Sequence, residues 1–210
     1  MTPNEANSEF RCLYSELESR FIELDSFLKH IHGFVSEAEK KIGPNLKLYS
    51  SDFFDYFYAD SYGETFRSSF IVSVTSVSET FIKSYITAWS NVLNLDISDI
   101  KPQYGILEYL KDTVKNTFNI EIDFDKREVA DFRVLLYIRN AMVHFGGNIY
   151  TFKHKKEIQH MTESFPSLHL TVDGALLTKE RFCIDSMEIS KRFFFYLFKL
   201  AIKKYPNYLN

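Results

Sequence analysis

Arg139, Asn140 and His144 bring a guanidinium, an amide and an imidazole into one short stretch, Arg139-Asn140-Ala141-Met142-Val143-His144, followed at once by Phe145-Gly146-Gly147. Groups of these types suit the handling of a phosphodiester. A guanidinium fork matches phosphate oxygens and the charge that builds on them during displacement. An imidazole, with an ordinary pKa of about 6.5, exchanges protons at neutral pH. No other stretch points to chemistry as sharply. Serines and aspartates are scattered without a nucleophile elbow or a phosphate loop. His30 and His32 are two apart on a helix, so they face different ways and make no metal site.

Long helices must position these residues. From about Asn4 to Lys41, Phe10, Leu13, Leu17, Phe21, Leu24, Phe27, Leu28, Ile31, Phe34 and Val35 recur at threes and fours between Glu and Lys, the pattern of an amphipathic helix that Gly43-Pro44 ends. A looser aromatic stretch, Tyr49 to Tyr62, follows. A second helix is expected from Glu64 to Asn91 on the stripe Phe66, Phe70, Val74, Val77, Phe81, Tyr85 and Trp89. Its β-branched content makes a strand the rival. After a linker at Asp96–Ile100 come a short helix over Gln103–Phe118 and a fourth over Asp125–Phe145. The fourth carries apolar residues nearly all round, which marks it as central and buried. Ile149–Phe152, Leu168–Val172 and Ala175–Leu177 read as short strands, the last two joined by an Asp173-Gly174 turn. A last helix, Ser186–Lys204, contains Phe193-Phe194-Phe195-Tyr196, expected as core or dimer seam.

At about 100° per residue, Arg133, Tyr137, Asn140 and His144 fall within about 60° of one another on the fourth helix. They form a polar stripe that should face a cleft, a ligand or a second subunit, because buried unpaired polar groups are costly. Arg139 starts about 140° away from His144, in an apolar sector where its charge needs a partner. Its long stem offers a way back to the stripe. Glu79, a lone acid on the second helix, is one conceivable partner.

Composition sets the limits. The chain has 210 residues, is 45% apolar and carries only seven Gly and five Pro, which favours long helices in a single domain over a turn-rich sandwich. Net charge is −3, a poor footprint for a general nucleic-acid coat protein but no obstacle to an enzyme gripping one or two phosphates. Cys12 and Cys183 give neither a disulfide framework nor metal-ligand spacing, which points to a reducing cytoplasm. The N-terminus lacks the layout of a signal peptide, and no apolar run is long enough to span a membrane.

The R-N-x-x-x-H pattern at the end of a late helix in a small helical bundle resembles the HEPN superfamily, the higher-eukaryote and prokaryote nucleotide-binding domains. The resemblance covers the helical core, about residues 4–147 and 186–204, with the β-hairpin insertion at about 149–178 outside the family's core pattern. It implies a mainly α, homodimeric, metal-independent RNA endonuclease that needs no cofactor, with two copies of the motif facing each other across a cleft. Carried over, Arg139 would neutralise the scissile phosphate. His144 would exchange protons as the 2′-hydroxyl attacks, leaving a 2′,3′-cyclic phosphate, and Asn140 would orient histidine or phosphate. Arg133, Tyr137 and Glu79 would support the site or bind substrate. Such proteins commonly act as toxins or defence effectors, often beside a nucleotidyltransferase-like antitoxin.

Each functional role has a plainer competitor. Arg139 and His144 also fit an ion-pairing arginine and a helix C-terminal histidine, a favourable place for a cation. Lys153-His154-Lys155-Lys156 reads as a solvated hairpin rim, with RNA-backbone contact as the alternative. The rival function is a catalytically silent HEPN module for nucleotide or RNA binding, or for protein association.

Overall fold

The apolar stripes become helices. The computed structural model describes residues 3–42, 52–97, 100 and 105–206. Among them the order is α1 (Pro3–Ile42), α2 (Asp52–Leu93), α3 (Ile106–Asn116), α4 (Arg127–Phe145), α5 (Lys155–Ser164), β1 (Leu168–Leu170), β2 (Leu176–Thr178) and α6 (Glu180–Lys204). The protein is mainly helical, with one small antiparallel hairpin ahead of the last helix, as the periodicity predicts.

Several boundaries differ from expectation. The Gly43-Pro44 stop and Tyr49 lie outside the described residues, but from Asp52 the aromatic stretch is already α2 rather than a loose segment. The rival strand in α2 loses because the three-four stripe buries Phe70, Val74, Phe81, Tyr85 and Trp89, whatever the local β propensity. Asn94 ends α2 with a left-handed φ of 53°, and Leu95 N–H donates to Ser90 O at 2.9 Å. Ile149–Phe152 is no strand. Asn148 makes a single bridge to Ala175 and the chain then turns. Helix α5 was not expected, and α6 begins at Glu180 rather than Ser186. Strand β1 pairs with β2 in the register Leu168↔Thr178, across a turn where Gly174 takes φ +86°.

The chain forms two compact units: Met1–Phe21, Thr75–Arg133 and Glu188–Asn210; and Ile22–Val74 with Val134–Met187. The first is centred on aromatic side chains. Trp89 is fully buried, with ring centroids of Phe10 at 4.6 Å, Tyr205 at 5.0 Å and Phe118 at 6.3 Å. Tyr85 donates its hydroxyl to Leu197 O at 3.0 Å, and its burial raises its pKa. Phe132 stacks on Phe193 at 4.1 Å. Of the Phe193–Tyr196 run, three rings are core and Phe195 is 53% exposed.

The second unit buries Phe70, Leu135, Ile138, Ile158, Phe182 and Cys183. Burial pushes the Cys183 thiol up to about 12, against a smaller opposing effect of the Arg67 charge. Cys12 is exposed. Because the thiolate is the reactive form, native protein at mildly alkaline pH should react with one equivalent of a thiol reagent, at Cys12. The second equivalent should react only in denaturant, and rapid loss of two thiols from folded protein would contradict this burial. An unfolded thiol titrates at about 8.5. The contribution of neutral Cys183 to stability is therefore complete below that pH, and it is lost as pH rises toward about 12.

Candidate functional site

In the second unit α4 is fixed by Leu135, Ile138 and Ala141, all fully buried. The other faces of this stretch carry the polar groups: Tyr137, Arg139 and Asn140 are half-buried and His144 is exposed in the last turn. The helix is less completely buried than its composition predicts, since Val143 is 51% and Phe145 46% exposed. It stops because Gly146 and Gly147 take φ +57° and +79°, and Gly147 N–H recovers the Ala141 carbonyl at 3.0 Å. A Cβ at Gly146 would meet nothing within 4 Å, so glycine is needed there for its backbone conformation and not for space.

Arg139 Nη1 donates to Asn140 Oδ1 at 2.8 Å. Asn140 lies only about 40° from His144 around the helix, whereas the Arg139 backbone starts about 140° away. The bond therefore draws the guanidinium toward the polar stripe. It also fixes the amide, whose Nδ2 presents donors. His144 has no hydrogen-bond or ion-pair partner among the described residues.

Tyr137 stacks face to face on His154, with centroids 3.8 Å apart and planes 4° apart, and His154 Nδ1 donates to Glu157 Oε1 at 3.1 Å. Phe145 meets Phe152 edge to face at 5.3 Å. Tyr137, Arg139, Asn140 and His144 lie on the part of α4 in the second unit, and Arg133, one turn before Tyr137, and Glu79 on α2 are counted in the first. His154 and Phe152 carry no local pattern that marks them as partners of α4. Only the folding-back of the chain after Gly147 brings them there.

A groove of about 770 Å³ opens beside the end of α4, between Met142, Val143 and the two glycines, the α2 residues Glu64 to Ser73, and β2. Glu64 holds its rim together, accepting from Thr178 N at 3.0 Å, Thr178 Oγ1 at 2.9 Å and Arg67 Nη2 at 3.3 Å. Glu64→Ala should cost about 1–3 kcal/mol, because it leaves half-buried donors unsatisfied, and Glu64→Gln should cost less. Urea unfolding checks both, and an alanine variant as stable as wild type would contradict the anchoring role.

Among the described residues no group of three or more His, Cys, Asp or Glu side chains is placed to hold a metal ion. No helix of the described residues is long and apolar enough to cross a membrane. No family model, no curated protein and no solved structure matches the chain.

Proposed function

We propose that the protein is a metal-independent RNA endonuclease of the HEPN type, acting through Arg139, Asn140 and His144. The observation that most supports it is the Arg139–Asn140 hydrogen bond, which turns the guanidinium toward the side of α4 that carries the exposed His144. A phosphate set there would meet the arginine fork, the amide and the imidazole.

In this mechanism the RNA 2′-oxygen forms a bond to phosphorus and the bond from phosphorus to the 5′-oxygen breaks. The 2′-proton goes to an imidazole, and the departing 5′-oxygen takes a proton from a second acid. One chain supplies one His144, so two copies facing across a cleft supply both groups. Arg139 neutralises the charge on the non-bridging oxygens, and the attacking nucleophile is the RNA's own, so no metal is needed to generate it. A role as a toxin or defence effector, held in check by a nucleotidyltransferase-like antitoxin, fits this activity.

Purified protein should cut single-stranded RNA in EDTA, and His144→Ala and Arg139→Ala should not. Light scattering should give twice the 24.7 kDa of one chain. If wild type and His144→Ala behave alike, the nuclease proposal fails and a binding module takes its place.

A further inference from the structure

We infer that residues 150–156, folded back along α4, form a track for single-stranded RNA, with Tyr150 stacking on one base and Lys153, Lys155 and Lys156 meeting its phosphates. That the polymer is RNA rests on the proposed nuclease function. The track itself follows from how the segment is placed.

Two ring contacts lay the segment on the helix, Phe152 against Phe145 and His154 against Tyr137. Around the α4 axis Tyr137 and Phe145 lie about 20° and 100° to one side of His144, while Arg139 approaches from the other. The segment therefore borders the flank of the His144–Asn140 stripe that Arg139 does not occupy. Phe152 and His154 turn their rings to α4, and Lys153 between them is exposed, as is Lys156. The stretch itself holds no acid, and Glu157, the residue after it, is engaged by His154. In a chain of net charge −3, this sets cations on both sides of the proposed reacting centre.

Tyr150 has the form of a stacking platform. Its ring is 66% exposed, yet its backbone is held. Tyr150 N–H donates to Asn148 Oδ1 at 2.8 Å, and Ile149 N–H donates to Gly174 O at 2.8 Å. Gly174 lies so close that a Cβ there would come within 3.2 Å of Tyr150. An exposed ring on a fixed backbone loses little freedom on stacking. Lys155 Nζ sits 4.7 Å from the same ring, so a base and the phosphate beside it are met together.

Binding of a short fluorescein-labelled 2′-O-methyl RNA, which lacks the attacking hydroxyl and stays intact, tests the track by anisotropy. Tyr150→Ala should weaken binding about 5- to 150-fold, the worth of one base stack, and Tyr150→Phe should bind as wild type. Lys153→Glu with Lys156→Glu should reduce the slope of log K against log salt by about 1.4, at ~0.7 for each lost phosphate contact. Circular dichroism melts of all variants should match wild type. Unchanged affinity in Tyr150→Ala, or an unchanged salt slope in the lysine pair, overturns the track, as does a wild type that does not bind. The cleavage assay separates the two proposals. Binding through Tyr150 without cutting sinks the nuclease and keeps the track, and His144-dependent cutting with unchanged Tyr150→Ala affinity does the reverse.

Discussion

Replacing His144 with alanine should slow RNA cleavage by a factor of about 10²–10⁴, the contribution of one positioned proton-transfer group. Stability should stay within about 0.5 kcal/mol of wild type, because the side chain is exposed in the last turn of α4 and has no partner among the described residues. That combination separates catalysis from structure at this position. Arg139 is different, being half-buried and bonded to Asn140, so Arg139→Ala should lose activity together with roughly 1 kcal/mol of stability. Arg139→Lys keeps the charge but not the fork, and it should recover only part of the rate. Single-turnover cleavage in EDTA, paired with urea unfolding, measures all three. A His144→Ala protein that cuts at the wild-type rate would remove the imidazole from the mechanism.

The largest stability effect is expected at Trp89. It is fully buried in the first unit amid Phe10, Phe118 and Tyr205, so Trp89→Ala empties a space that these rings cannot close. Loss of about 3–5 kcal/mol follows, or a melting temperature lower by roughly 6–20 °C for a chain of this size. Trp89→Phe should lose less, and Phe195→Ala, with its ring half in solvent, should lose little. A Trp89→Ala protein less than about 1 kcal/mol below wild type would contradict its place at the centre of this core.

The helices were legible because burying a stripe enforces a strict period. Phe70, Val74, Phe81, Tyr85 and Trp89 declare α2 despite its β-branched residues. The region after Gly147 was less so. Helix α5 buries only Ile158 and Met161 among polar residues, so it carries hardly any periodic signal. Ile149–Phe152 has the residue types of a strand, but the one bridge beside it, Asn148 to Ala175, does not extend into a ladder it could join.

At the site, residue types and helical spacing place His144 and Asn140 on one side of α4 and Arg139 on another. What spacing cannot show is the path of a long side chain. Arg139 reaches Asn140 through its own rotamer, a matter of packing. Nor does any pattern pair Tyr137 with His154, since that contact joins α4 to a segment beyond a glycine turn. Glu79 rests only on the general need of an arginine for an acid, and no pattern in the sequence marks it as the partner of Arg139.

The most direct measurement is the chemistry of the cut ends. A single-stranded RNA incubated with the protein in EDTA, and the same RNA carrying a 2′-deoxy sugar at the cleaved position, would be compared by mass spectrometry. Cleavage through Arg139 and His144 predicts fragments ending in 2′,3′-cyclic phosphate from the first RNA and an intact bond at that position in the second. Fragments with 3′-hydroxyl and 5′-phosphate ends, or equal cutting of both RNAs, would contradict attack by the 2′-hydroxyl.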